Sequence, residues 1–292
     1  MLTLVHASDL HFGEPYLPEM GEAFQAAAVA CDPDAIVLSG DFTQRAKVRE
    51  YEQARAFIDR LPRVPLVVTP GNHDVPLYRV FERLFAPFRN YREHISDELD
   101  TVTRVGGAVI VSLSSAAPHH AIVNGRITPE QMEWAARVFR DGTDEDIRIV
   151  VAHHHLAPAP DYEGDKQLPR AREILDAFER MGVEMILGGH LHRAYIGNSL
   201  DVYPGEDRSR GLVIVQSGTT TSGRGRARER AKNSFNIVRV DSHQLEVSHH
   251  MYFEELDGFA PFSRHAFPRR ARRYFASDRP TPAGARPAED VA

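Results

Sequence analysis

Aspartate, histidine and asparagine gather in this chain where short apolar runs end. Asp9 and His11 follow the run 2–6, Asp41 follows 35–38, and Asn72, His73 and Asp74 follow 66–68. His153, His154 and His155 come after Val150-Val151-Ala152, and His190 and His192 after Gly188-Gly189. Carboxylates, imidazoles and one amide oxygen form a mixed hard and borderline donor set, suited to Mn²⁺, Fe²⁺/Fe³⁺ or Zn²⁺ and unsuited to Ca²⁺ or a thiolate site. An Asp-x-His pair leaving a strand can turn both side chains to one ion, because alternate residues share a face. His190 and His192 have the same spacing. With Asp41 shared, there are donors enough for two ions about 3.5–4 Å apart, the separation used by two-metal hydrolases. Alone, a Gly-Asp at a strand end reads as a turn and a single histidine as a surface residue. The ordered set carries the chemistry.

Elements must bring these donors to one edge. The runs 2–6, 35–38, 66–68, 147–152 and 185–187 read as strands, and 22–30, 48–60 and 172–180 as helices. Thr128-Pro129-Glu130-Gln131 opens a further helix, with Thr128 as N-cap, Pro129 in the first position and Gln131 closing a capping box. After His192, strand-like runs at 195–203, 212–216, 235–240 and 245–252 follow with no helix between them. That order predicts an α/β fold with paired sheets rather than one doubly wound sheet. The donors then stand at strand ends, where open α/β sheets bind ligands.

The chain has 292 residues, 42% hydrophobic and 26% charged, enough for a substantial core. No apolar run approaches the ~18 residues of a membrane helix, and 2–5 is too short for a signal-peptide core. Cys31 is the single cysteine, which excludes an internal disulfide and fits a reducing compartment. A cytoplasmic protein is expected. The net charge of -6 gives no global field for nucleic acid. Residues 1–255 are expected to form the main domain, 256–275 an extension rich in arginine and aromatics, and 276–292 a disordered tail.

Asp9-x-His11, Gly40-Asp41, Gly71-Asn72-His73-Asp74, a histidine after a buried strand, and Gly189-His190-Leu191-His192 occur in that order. Together they resemble the full signature of the calcineurin-like metallophosphoesterases. The resemblance implies two mixed β-sheets packed as a sandwich and flanked by helices. It implies one metal on Asp9, His11, Asp41 and His192 and another on Asp41, Asn72, His153 and His190, with His154 as the alternative to His153. A water between the ions would attack phosphorus in line. His73 would serve as general acid or phosphate donor, oriented by Asp74.

Gly40-Asp41 is followed by Phe42-Thr43-Gln44-Arg45, unlike the Tyr/Val-Asp-Arg-Gly string of the protein-phosphatase branch. Gln44 stands where purple acid phosphatases place a metal-binding tyrosine. The stretch from Gly40 to Gln44, with Tyr51 and Phe57 after it, most resembles class III cyclic-nucleotide phosphodiesterases and their bacterial relatives. That implies hydrolysis of a small phosphodiester or nucleotide-type substrate. A second reading is a pyrophosphatase acting on a nucleotide-linked lipid such as UDP-diacylglucosamine. Its support is 259–275, where Phe259, Phe262, Phe267, Tyr274 and Phe275 interleave with Arg264, Arg269, Arg270, Arg272 and Arg273. Such a segment can touch an anionic membrane surface, or else its aromatics pack onto the domain. A third reading, a non-catalytic scaffold, predicts lost donors, and none is missing. In 224–232, Arg224, Arg226, Arg228, Arg230 and Lys232 face one acid, Glu229. This loop either holds a substrate's second anionic group or is solvated. The five blocks themselves contain no lysine or arginine, which favours diesters over doubly charged monoesters.

Overall fold

The protein is described here from a computed structural model covering residues 1–119, 123–158, 166–203 and 211–269. In β1 (Leu2–Ala7), Leu2 and Leu4 enter one apolar layer while Val5 and Ala7 enter another. This is the period-two alternation of a strand buried on both faces. β1 pairs in parallel with β2 (Ala35–Leu38), and β2 with β3 (Leu66–Val68). The order of the second sheet is β4-β5-β6-β7-β9-β8. Its members are β4 (Thr101–Val105), β5 (Ala108–Ser112), β6 (Ile147–Val151), β7 (Met185–Gly188), β8 (Tyr195–Asn198) and β9 (Val213–Gln216). β5, β6, β7 and β9 run parallel, with β4 and β8 as antiparallel edges. β10 (Ser234–Val240), β11 (Gln244–Phe253) and β12 (Gly258–Pro268) return to the first sheet, whose order is β12-β11-β10-β1-β2-β3.

Leu4, Val37, Ile149, Val151, Leu187 and Val215 fill the layer between the sheets. α1 (Pro18–Cys31), α2 (Val48–Ile58) and α4 (Arg89–His94) cover the first sheet through Phe24, Tyr51, Phe57 and Tyr91. α5 (Pro129–Arg140) and α6 (Ala171–Arg180) cover the second through Phe139, Leu175 and Phe178. Two short helices, α3 (Val80–Phe85) and α7 (Ser199–Val202), lie in loops. The architecture is the expected sandwich of two mixed sheets between helical layers. Thr128 and Gln131 form the anticipated capping box, Gln131 N donating to Thr128 Oγ1 and Thr128 N to Gln131 Oε1.

Three departures have physical causes. The β4–β5 hairpin was not anticipated, although Thr101–Val105 alternates in exposure and Gly106-Gly107, both at positive φ, makes its turn. The run 195–203 is not one strand. Asn198 Oδ1 accepts from Leu200 N and caps α7, which ends β8. The expected extension begins inside the core sheet, since β12 pairs with β11 along its length. Phe259 there packs against Phe235 and Tyr252, with ring centroids 5.1 and 5.6 Å away. Arg269 forks onto both Glu184 oxygens at 2.8 and 2.9 Å. Phe259 and Arg269 of the proposed membrane segment therefore hold the fold, while Phe262 and Arg264 are exposed. Arg270, Arg272, Arg273, Tyr274, Phe275 and the tail 276–292 lie outside the described residues.

Two buried histidines set an acid limit on stability. Burial pushes His6, on β1, down to about 3 and His249, on β11, down to about 4, against ~6.5 in an unfolded chain. Both are neutral when folded, so between those values the unfolded chain binds more protons. The stability they confer is complete above pH ~6.5 and is lost as pH falls toward their folded values. Metal-stripped protein should show a denaturation midpoint that drops between pH 7 and 4.5, and His6→Gln should flatten that slope. An unchanged slope in the variant would refute the assignment.

Candidate metal centre

The first donor pair is set by backbone conformation beyond the end of β1. Asp9 N and His11 N donate to the carbonyls of Gly40 and Asp41, at 3.0 and 2.9 Å. Asp9 and His11 have φ of 55° and 50°, and between them Leu10 is fully buried. His190 and His192 repeat the device with φ of 74° and 54° around buried Leu191. Alternation along an extended chain is therefore not what aims these pairs. Two left-handed residues flank an apolar anchor, and this turns both polar side chains inward. Asp41 is left-handed too, at 53°. Such conformations cost on the order of 1–2 kcal/mol per residue, and strain of this kind concentrates at functional sites.

Glycines allow the loops to meet. A Cβ on Gly71 would overlap the Asp41 carboxylate, and one on Gly40, at φ 101°, would sit 2.5 Å from the His153 ring. The hydroxyl run after β9 does not face the cleft. Thr219 Oγ1 and Thr221 Oγ1 donate to the Asp9 and Leu10 carbonyls, clamping the first donor loop.

One ligand atom from each of Asp9, His11, Asp41 and His192 lies within 4.8 Å of the others, and all four residues are buried. His192 Nε2 is 3.3 Å from His11 Nε2 and 3.4 Å from Asp9 Oδ1. A second set adjoins it: His153 Nε2 lies 3.4 Å from Asp41 Oδ2 and 3.3 Å from Asn72 Oδ1, and His190 Nδ1 lies 3.0 Å from Asn72 Oδ1. Asp41 Oδ2 also lies 3.6 Å from His11 Nε2, so it belongs to both sets. Of the two histidines left open by sequence, His153 is the one that reaches Asp41 and Asn72. His154 turns its Nδ1 to Ser115 Oγ, at 2.8 Å.

This donor set fits cations. Each aspartate has one oxygen fixed by a backbone N–H: His190 N donates to Asp9 Oδ2 at 3.0 Å, and His73 N to Asp41 Oδ1 at 2.8 Å. The remaining oxygens, Asp9 Oδ1 and Asp41 Oδ2, are buried without a well-formed hydrogen bond. Buried charge in that condition is costly unless a cation or proton meets it. Burial pushes His11, His190 and His192 well below the usual histidine range, which keeps them neutral as ligands must be. His153 also feels burial, but the adjacent Asp41 charge outweighs it and raises the ring to about 9. Asp41 is held well below the carboxylate range: burial opposes this, and the charges of His153 and His73 prevail. His153 Nδ1 is fixed by the Ser39 carbonyl at 2.7 Å, so Nε2 is the atom turned to the donor set.

His73 stands at the rim. Its Nδ1–H donates to the Gln44 carbonyl at 2.9 Å, leaving Nε2 toward the cleft. Asp74 does not orient this ring, contrary to expectation. Its carboxylate accepts from Gly71 N, Phe42 N, Thr43 N and Thr43 Oγ1, and so joins the Asp41 loop to the Asn72 loop. Burial and then Asp41 raise its pKa to about 7. Asp74 is a positioning residue, and the Gln44 carbonyl does the work assigned to it; no spacing rule marks a backbone acceptor of that kind.

The cleft above the donors holds about 330 Å³, and Arg224 and Arg226 line it along with His73 and His190. Arg224 Nη1 donates to Gln44 Oε1 at 2.7 Å and lies 3.4 Å from His73 Nε2. The front of the arginine loop thus overhangs the site. Arg228 turns away toward the Ala194 carbonyl.

The sequence model of the calcineurin-like phosphoesterases matches residues 2–194. The chain belongs to that family. Among curated members, it is 28% identical over 180 residues to a probable cyclic nucleotide phosphodiesterase of Synechococcus, covering 59% of this chain and 64% of that protein. It is 24% identical over 262 residues to a cAMP/cGMP dual specificity phosphodiesterase of Mycobacterium tuberculosis, covering 81% of this chain and 75% of the other. A purple acid phosphatase from yellow lupin seeds superimposes with a TM-score of 0.65 at 17% identity, covering 92% of this calcineurin-like chain and 54% of the lupin chain. That likeness concerns the fold alone. The chain spans under two thirds of the length of the Synechococcus relative. Among the described residues no helix is long and apolar enough to cross a membrane.

Proposed function

We propose that this calcineurin-like protein is a metal-dependent phosphodiesterase acting on small phosphodiesters, cyclic nucleotides among them. The observation that carries the reading is Asp41 Oδ2, which faces His11 of one donor set and His153 of the other. Asp9, His11, Asp41 and His192 would hold one divalent ion, and Asp41, Asn72, His153 and His190 the other. The pair, when bound, supplies Lewis acidity that lowers the pKa of a water and offsets phosphoryl charge. His73 presents Nε2 to the leaving oxygen, to donate a proton or bind the phosphoryl group. Arg224 offers its guanidinium to substrate oxygens beside it.

The absence of cations from the five blocks had favoured diesters on charge grounds. Arg224 and Arg226 remove that ground, because they bring positive charge to the cleft from another part of the chain. The diester preference rests instead on the phosphodiesterases that the chain resembles. The test is a panel with added Mn²⁺: bis-p-nitrophenyl phosphate, p-nitrophenyl phosphate, and 3′,5′- and 2′,3′-cyclic nucleotides. The bis ester and a cyclic nucleotide should turn over faster than the monoester, and chelator should abolish all turnover. Arg224→Ala should raise KM for the cyclic nucleotide ~10-fold while changing the bis ester less. Faster cleavage of the monoester, or no metal-dependent cleavage at all, would overturn the proposal.

A further inference from the structure

Residues 77–85 turn their apolar side chains outward. Phe81 and Phe85 are 81% and 82% exposed, Tyr78 is 73% exposed, and Leu77, Val80 and Leu84 are exposed beside them. Within α3, Val80, Phe81, Leu84 and Phe85 share one face, and no residue of the helix is buried. The basic side chains turn the other way. Arg79 donates to the carbonyls of Arg45 and Ala46 and pairs with Glu82 at 2.9 Å, and Arg83 donates to the Leu77 carbonyl. A surface helix ordinarily buries its apolar stripe against the core. This one presents it to the surroundings, and contiguous apolar patches of this kind mark interaction surfaces. Leu77 and Tyr78 also belong to the wall of the cleft, so whatever covers the patch meets the mouth of the site.

Exposed basic residues flank the patch along the chain, with Glu82 and Glu93 the acids among them. Arg45 has its guanidinium 5.0 Å from the Tyr78 ring centroid, and Lys47 and Arg49 follow it, all three exposed. Arg89 and Arg92, also exposed, come just after α3. The whole chain carries a net charge of -6, so this face runs against the average. A second copy of the chain would set the same basic residues against themselves, like charge facing like. A neutral apolar partner would leave them unmatched.

We propose that α3 and its flanking basic residues dock on an anionic lipid bilayer. Phe81, Leu84 and Phe85 enter the boundary of headgroups and acyl chains, while the basic residues meet lipid phosphates. The mouth of the cleft then lies against the lipid surface. Docking does not depend on the phosphodiesterase reading and is tested without turnover. The full chain is sedimented with vesicles of phosphatidylcholine alone and with about 30% phosphatidylglycerol, at ~0.1 M salt. It should partition to the anionic vesicles, and the Phe81→Ser/Phe85→Ser variant should lose at least ~10-fold in partitioning. Lys47→Glu/Arg49→Glu/Arg89→Glu should lose binding to anionic vesicles comparably. None of these replaces a buried side chain, so both variants should keep the parent's thermal unfolding midpoint. Equal partitioning of parent and aromatic variant, or no vesicle binding by the parent, would overturn the proposal. So would a dimer that the aromatic variant dissolves in a protein that ignores vesicles, since the face would then belong to a second copy.

Discussion

Replacing Asp41 with Asn should strip metal from both halves of the site and remove turnover. Asp41 Oδ2 faces His11 and His153, while Oδ1 accepts from His73 N. Asn can keep the backbone contact through its oxygen. It would then place an amide donor, uncharged, where a shared anionic ligand is needed. Loss of a partner that merely orients a ligand costs ~10–100-fold in metal affinity, and a ligand common to two ions should cost more. Metal analysis after dialysis should find both ions depleted, and the stabilisation that added Mn²⁺ gives the parent in thermal unfolding should vanish. Two retained ions with near-normal turnover would refute the bridging role.

His73→Ala should act differently, because His73 belongs to neither donor set. Its Nδ1–H is committed to the Gln44 carbonyl, so the loss falls on the proton or hydrogen bond that Nε2 offers. Metal content should stay at the parent level. The kcat for a cyclic nucleotide should fall by ~10²–10⁴, the usual range for a positioned acid. A p-nitrophenolate leaving group needs little protonation, so the loss on bis-p-nitrophenyl phosphate should be smaller. An equal loss on both substrates would assign Nε2 to phosphoryl binding. Depleted metal would show that the ring supports the ligand loops instead.

Much of the candidate site was legible because its residue types recur at strand ends in a fixed order. Five separate blocks had only to be aligned with five strands, and parallel pairing of β1, β2 and β3, and of β6 and β7, brings their ends together. An Asp-x-His pair nevertheless reads as extended chain, whereas Asp9 and His11 are left-handed. Residue type does not report φ when no glycine is present. The β4–β5 hairpin is less legible despite its double-glycine turn, because Thr101–Val105 is a half-exposed edge strand with no buried apolar run and no donor at its end.

By itself, then, the sequence determined the family and the order of the candidate donor blocks. These depend on residue type and short spacing, which are local properties. Only the tertiary structure shows that His153, and not His154, reaches Asp41 and Asn72, since adjacent side chains diverge according to what each packs against. It also moved Arg224 beside His73 from 151 positions away, gave Asp74 to the loops rather than to the ring, and drew β12 into the core sheet. The outward apolar face of α3 is of the same kind. Its composition reads as an ordinary amphipathic turn, and which side meets the core is set by where the chain before and after it is anchored.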